Sequence, residues 1–363
     1  MRDTDDYPSK FDARERADVL IAKLTTLGIP CELERVVEGP QVIRYELRPT
    51  SGVLMREILR TADDLSFATG AYPTRILAPL PGRADLIGVE LPCAERRIVR
   101  LSELPAPIEP LSFPLGPGVD GEPIFCDLAR SPHLAIAGQT GGGKSSCIHA
   151  MVGSLISRFG PDELTMLMID TKQVELPPRY SGLPHLLLEI ADDVDSATEL
   201  LEGTLRFVNL RFAAMQQYGG GRDIDEMNVK LRADGRVPWP RCILIIDEVA
   251  DLMMASRKVV ESLIVRIAQK SRAVGIHLVV ATQSPRVSVL TGLLKANLPS
   301  RICFSVASQT DSRVVMDRNG GELLLGCGDG LFSMAGAPPV RFQGIFVDSD
   351  EIQAICDRWR AEA

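Results

Sequence analysis

The sequence predicts an α/β protein: a mainly parallel sheet domain preceded by a small α+β module. Three observations carry this. First, five uninterrupted apolar runs alternate with amphipathic segments: LAIAG (134–138), LTMLMID (164–170), CILIID (242–247), HLVVAT (277–282) and RICFSV (301–306). Strands apolar along their whole length are buried on both faces, as in a parallel sheet covered by helices. Second, a glycine-rich string, GQTGGGKS (138–145), directly follows the first of these runs. Third, LPAPIEPLSFPLGPG (104–118) separates this pattern from an N-terminal stretch with a different one.

Taken in order, Ala17, Leu20, Ile21, Leu24 and Leu27 recur at helical spacing, and Gly28 supplies a stop. CELERVV (31–37) and QVIRYEL (41–47) alternate in polarity and are joined by Glu38-Gly39-Pro40, which reads as a β-hairpin. A helix-like stretch over 56–69 leads to two more strands, TRILAPL and DLIGVEL, around Pro81-Gly82. Residues 1–103 therefore read as the small module. The five prolines and two glycines of 104–118 leave no room for a regular element, so this segment reads as a linker. Residues 119–363 form the sheet domain. Its covering helices include 194–215, where Val194, Ala197, Leu201, Leu205, Val208, Phe212 and Met215 share a face, and 257–272.

Composition narrows the function. A chain of 363 residues, 45% hydrophobic and 24% charged, has room for two domains. No apolar run approaches the length of a membrane helix, and the N-terminus, MRDTDDYPSK, is too charged for a secretory signal. The expected location is the cytoplasm. Eight scattered cysteines without a C-x-x-C pair, and only four histidines, read as buried thiols and not as a metal site. A net charge of −8 argues against a protein that coats nucleic acid with its whole surface, but not against one that grips phosphates in a lined channel.

The string 138–145 fits G-x-x-x-x-G-K-[ST] between a strand and a helix-compatible segment. This is a phosphate cradle of backbone N–H groups and a helix N-terminus, with Lys144 as a point charge and the Ser145 hydroxyl placed for Mg²⁺. Gly138, Gln139, Thr140, Gly141, Gly142, Gly143, Lys144, Ser145 and Ser146 are the expected ATP-binding residues. In CILIIDE, Asp247 and Glu248 emerge at the end of a buried strand, where α/β sheets place their ligands. Asp247 suits Mg²⁺, with Ser145 as the other metal-side residue, and Glu248 suits the attacking water. Gln283, ending HLVVATQ, can report on the γ-phosphate or orient that water. Asp170 reads equally as a turn residue or as part of the site.

The strings PHLAIAGQTGGGKS, MIDTKQVEL, LPHLL, IDEVADLMM, AQKSRAVGIHLVVATQ, TGLLKANLPSRICF and SQTDSRVVMD, in this order, closely resemble the motor of the FtsK/SpoIIIE double-stranded DNA translocases. GPQVIRYELRPTSGV and LPGRADLIGVELP resemble that family's α-subdomain, so the likeness runs from about residue 17 to 359. It implies a RecA-like P-loop ATPase domain. It also implies a homo-oligomeric ring, most often a hexamer, that passes duplex DNA through a central pore without reading sequence. ATP would be hydrolysed between subunits, with Arg272 as the arginine donated by the neighbour and Arg301 as a second candidate. For DNA contact, Arg313 matches a family position. Two departures thin the charge: ATQRP reads ATQSP, placing Ser284 where the family has arginine, and Gln309 replaces a lysine. Arg286 is placed to supply charge on the same loop. The departures imply weaker loading with a shallower salt slope. A third departure, Thr171 for proline in MIDTK, carries no functional expectation.

Two other functions are compatible with parts of this pattern: a secretion or coupling ATPase that moves polypeptide, and a nucleotide-gated assembly scaffold. Taken as complete, the chain reads as a stand-alone motor without membrane helices or a C-terminal winged-helix domain. Such short forms resemble those carried by mobile elements, with targeting left to a separate partner. An excised part of a longer chain fits equally.

Overall fold

The computed structural model describes residues 13–50 and 52–362; the charged N-terminus, and with it the first twelve residues of the expected module, lies outside them. The small module is a four-stranded antiparallel sheet in the order Cys31–Glu38, Val42–Pro49, Ile87–Pro92, Arg75–Leu77. The helix Ala13–Thr26 buries Ala17, Leu20 and Leu24 in the module's own core beside Tyr45, Leu47, Val89 and Leu91. The hairpin and the two later strands lie where the alternation put them. The helix-like stretch 56–69 is two helices, Met55–Leu59 and Ala62–Thr69. The break falls at Thr61, whose hydroxyl bonds the Ile58 carbonyl at 2.8 Å, a local bond that competes with helix continuation.

The larger unit holds a seven-stranded sheet. Its order is Val340–Gln343, Asp329–Ser333, Ser300–Phe304, His133–Ala137, Ile276–Thr282, Arg241–Ile246, Leu164–Ile169. The last five are mutually parallel and the first two pair antiparallel at the edge. Period-two alternation divides the strands between two cores. Leu134, Ile136, Met166, Ile243, Ile245 and Val279 pack with the helix Lys144–Ile156 on one face. Ala135, Leu167, Leu244, Ile246, Leu278 and Val280 pack with the helices Val194–Gln217 and Val249–Lys270 on the other. The helix expected over 257–272 is the second half of this last one, which is non-helical only at Ser256. Asp193 and Ser196 start Val194–Gln217 with a reciprocal capping box. No helix among the described residues is long and apolar enough to cross a membrane.

One expectation is corrected. Residues 104–118 are not free of regular structure: Ser112–Pro117 is a fully buried strand, paired antiparallel with Pro123–Asp127. Proline lacks only the N–H, and a two-stranded ribbon with a register shift between Pro114 and Gly116 tolerates that loss. Arg158 fastens the segment by donating to the carbonyls of Glu109, Pro110 and Ser112 at 2.7–3.0 Å. Gly116, at φ +137°, lies so close to the sheet edge that a Cβ would sit 1.8 Å from the Gln343 carbonyl oxygen.

The module joins the sheet domain through a buried charge chain. Glu90 of the module accepts from Arg75 at 3.2 Å and from Arg341 at 2.7 Å, and Arg341 also grips Asp329 at 2.6 Å. Burial pushes the Glu90 carboxyl up, but Arg75 and Arg341 more than offset this and hold its pKa below the ordinary value. The stabilisation from Glu90 is therefore complete above the unfolded carboxylate pKa and is lost as pH falls through the lower folded value. Replacing Arg341 by alanine leaves two acids with a lost partner in a dry joint. The expected cost is about 3–5 kcal/mol in urea denaturation at neutral pH. Arg341→Lys is expected to retain part of it.

Candidate active site

The sheet order decides which side chains meet. The first parallel strand, His133–Ala137, lies between the fourth and fifth, so its C-terminal end opens at the point where the strand order reverses. The glycine loop leaves there and is slung between its neighbours. Gly138 N–H donates to the Thr282 carbonyl at 3.2 Å, and Gln139 N–H donates to the Ser305 carbonyl at 2.9 Å. Gly143 has φ +126° and caps the helix Lys144–Ile156, whose first-turn N–H groups have no intrahelical acceptor. Behind the loop, Gly328 N–H donates to the Gly142 carbonyl at 2.8 Å, and Gly344 N–H to the Gly328 carbonyl at 2.7 Å. A Cβ on Gly143 would sit 2.8 Å from Gly328 Cα, and one on Gly344 would sit 2.9 Å from the Gly328 carbonyl oxygen. Side chains are excluded from this contact on both sides.

Lys144 is buried, and its Nζ lies 2.5 Å from Asp247 Oδ1 and 3.0 Å from the Asp247 carbonyl oxygen. Burial pushes the Asp247 carboxyl above its ordinary pKa, against the opposing pull of Lys144. Glu248 caps the helix Val249–Lys270 and is held on several sides. Thr282 Oγ1 donates to its Oε1 at 2.6 Å, Gln283 N–H donates to its Oε2 at 2.9 Å, and Lys172 Nζ stands 3.8 Å away. Gln283 accepts from Thr140 Oγ1 at 2.9 Å, so it bridges the glycine loop and the Glu248 strand end. It can do so because its strand lies between theirs.

Asp170, left open by the sequence, is a loop organiser. Its buried carboxylate accepts from the N–H groups of Lys172, Gln173, Glu175 and Leu176 at 2.9–3.1 Å. That turn delivers Glu175 to the cavity beside the glycine loop. Hydrogen bonds from His149, and more weakly from Ser145, bring the Glu175 pKa down to about 2, against partial burial. Neither Glu175 nor Thr282 stood out in the sequence. Glu175 was present in MIDTKQVEL, and Thr282 was hidden as the last residue of an apolar run. Thr171 donates to Asp251 at 3.2 Å, which fixes the start of the same turn.

The remaining residues lie elsewhere. Arg272 is exposed in the turn after the helix whose N-cap is Glu248. That helix, kinked at Ser256, carries the chain to the start of the strand Ile276–Thr282, whereas the site lies past the other end of that strand, at Gln283, so this chain's own site is out of reach of Arg272. Arg301 is committed internally, donating to the carbonyls of Lys295, Leu298 and Val315 and pairing with Asp317. Arg286 is exposed on the loop after Ile276–Thr282. Arg313 is exposed on the helix Gln309–Met316 and donates to Asn319 Oδ1 at 2.7 Å. Their two parent strands flank the glycine-loop strand.

A glycine loop, a buried lysine and a strand-end acidic pair at the C-terminal edge of a parallel sheet define a P-loop ATPase. The family model described as FtsK/SpoIIIE family matches residues 104–287, and that of the FtsK alpha domain matches residues 2–93. The DNA translocase SpoIIIE of Bacillus subtilis (strain 168) is 40% identical over 98% of this chain and 46% of its own length. The DNA translocase FtsK of Mycobacterium tuberculosis (strain H37Rv) is 40% identical over 94% of this chain and 43% of its own. The chain belongs to the FtsK/SpoIIIE family, and it spans less than half the length of these relatives. Among solved structures, the pCW3 conjugation coupling protein TcpA aligns over 95% of this chain and 99% of its own at TM-score 0.67 and 22% identity. The cytoplasmic domain of the Thermomonospora curvata type VII secretion ATPase EccC aligns over 70% of this chain and 32% of its own, at TM-score 0.61 and 25% identity.

Thr282→Val keeps the shape of the strand end and removes the donor to Glu248. A hydrogen bond to a charged group is worth about 1.5–3 kcal/mol. ATP turnover is expected to fall roughly 10- to 100-fold, with ATP affinity unchanged, as measured by steady-state kinetics and direct titration.

Proposed function

We propose that this chain hydrolyses ATP and uses it to move double-stranded DNA through a ring of identical subunits, most simply a hexamer in the cytoplasm. The observation that carries this reading is the 40% identity, extending through the small module as well as the ATPase unit, to proteins named DNA translocase. The cavity beside the glycine loop, about 630 Å³, is of the size that takes a whole nucleotide. Incoming phosphates would draw Lys144 away from Asp247 and free that carboxylate. Ser145 and Glu175 line the cavity and Asp247 is buried against Lys144; all three are hard oxygen donors of the kind Mg²⁺ prefers. Mg²⁺ there would neutralise phosphate charge. Glu248, oriented by Thr282 and the Gln283 N–H, would accept the proton of the attacking water, while the Gln283 side chain links that water to the glycine loop.

This chain's own site already holds Lys144 and Lys172 beside the acidic pair and Arg96 and Arg97 in the cavity wall, to which a neighbour's arginine would add transition-state charge. Arg272, exposed far from it, fits donation to the adjacent subunit, whereas the internal bonds of Arg301 remove the second candidate. Arg286 and Arg313 suit contact with the DNA backbone, which carries no sequence information. The fold likeness to EccC and the thinned loop charge at Ser284 and Gln309 favour a polypeptide-moving ATPase as the second reading. The occupied catalytic positions weigh against a nucleotide-gated scaffold.

Duplex DNA is expected to accelerate ATP turnover. Failure of duplex DNA to do so, with acceleration by polypeptide instead, would select the second reading. Glu248→Gln is expected to retain ATP binding and lose about 10²–10⁴ in turnover. Mixing Arg272→Ala with Lys144→Ala subunits is expected to restore part of the activity at shared interfaces; mixed assemblies without rescue would assign the trans cation elsewhere. Arg286→Ala and Arg313→Ala are each expected to lower the slope of log affinity against log salt by about 0.9.

A further inference from the structure

Two buried polar side chains, His149 and Tyr180, stand behind the Ser145 side of the glycine loop. Ser145 and His149 are four residues apart on the helix Lys144–Ile156, so they share a face one turn apart. Glu175 meets both. His149 Nε2 lies 3.4 Å from its Oε2, and the Ser145 hydroxyl bonds the same carboxylate. On the other side of the imidazole, Nδ1 lies 2.8 Å from the Tyr180 hydroxyl. Ser145 and Glu175 line the cavity, while the two groups behind them are shut away from it.

The directions of these bonds follow from the groups. A carboxylate only accepts, so His149 Nε2 and the Ser145 hydroxyl both donate to Glu175. In the uncharged ring Nδ1 then carries no hydrogen and accepts from Tyr180. Tyr180 is fixed in turn by Arg360, which donates to the carbonyls on either side of it, Arg179 at 2.7 Å and Ser181 at 2.9 Å. Arg179 adds a charge 3.6 Å from Glu175 Oε2, beyond hydrogen-bonding distance. A hydroxyl has one hydrogen and two lone pairs. With its hydrogen spent on Glu175, Ser145 keeps both lone pairs for the cavity, and lone pairs are what a cation needs.

We propose that His149 and Tyr180 are positioning residues for Mg²⁺: they hold Glu175 as the acceptor of the Ser145 hydroxyl, and so leave the Ser145 oxygen open to the cation. Glu175 would then act on the cation through Ser145. This deepens the reading of the glycine loop as the seat of MgATP and rests on it.

The test is calorimetric titration of the full chain with ATP, once with Mg²⁺ and once in EDTA. Groups that orient a metal ligand govern metal affinity by roughly 10- to 100-fold. His149→Phe keeps a buried ring without its nitrogens, and is expected to weaken ATP about tenfold when Mg²⁺ is present. In EDTA the affinity is expected to stay within about twofold, because bare phosphates need only the loop. His149→Gln can still present an N–H to Glu175 and is expected to recover most of the loss. Glu175→Gln, at a partly exposed position that does not threaten folding, is expected to match His149→Phe. Combining the two is expected to add little, since both act through one chain of bonds. A folded variant that weakened ATP equally in both conditions, or not at all, would overturn the proposal. So would additive losses, or a His149→Gln chain as weak as His149→Phe. An unaltered chain that bound ATP in neither condition would remove the triphosphate seat itself, a separate failure.

Discussion

Everything at this site rests on the contact between the glycine loop and the two loops behind it. Gly143 lies against Gly328, and Gly328 lies against Gly344, each pair too close for a Cβ between them. The backbone bonds Gly328–Gly142 and Gly344–Gly328 close the stack. This contact explains why the edge strands Asp329–Ser333 and Val340–Gln343 exist beyond the five parallel ones. They bring up a backbone surface that supports a loop made mostly of glycine from the rear, while its front stays open. It also explains Phe304, fully buried beneath the loop, whose ring and Cβ occupy the space beside Gly138 and Gly143.

The charged groups follow from burial. Lys144 and Asp247 are nearly inaccessible to solvent and face each other directly, an ammonium against a carboxylate that burial pushes up. Glu248 is treated differently, with a hydroxyl and backbone N–H groups as its main partners and a lysine more distant. One carboxylate is thus set against a cation and its neighbour in sequence against dipoles. Adjacent acids on one strand end therefore acquire separate chemistry from their surroundings.

Much of this was legible in the sequence because the signals are local. Five apolar runs gave five parallel strands, and a glycine string after the first gave the phosphate loop. Asp247, Glu248 and Gln283 were legible for the same reason: polar residues ending buried strands have few places to go. Glu175 was not, because its position depends on four backbone donors gathered by Asp170, a tertiary arrangement with no periodic trace. The strand Ser112–Pro117 was hidden by its prolines, since composition records how many donors are missing but not which side of a ribbon needs them. The contributions of Gln41 and residues 96–99 to the cavity were equally silent. They arise from how the small module docks, through a Glu90–Arg341 contact that spans 251 residues of chain.

That docking contact has a mechanical side. Arg341 holds Asp329, and Asp329 in turn accepts the Leu325 N–H at 2.8 Å, three residues before the glycine that braces the phosphate loop. Few freely rotating bonds intervene between the small body and the glycine loop, so a displacement of either one is passed to the other through these contacts. Linkage makes such a coupling reciprocal: a ligand that shifted the loop would bias the small body, and a partner that shifted the small body would bias the loop to the same extent.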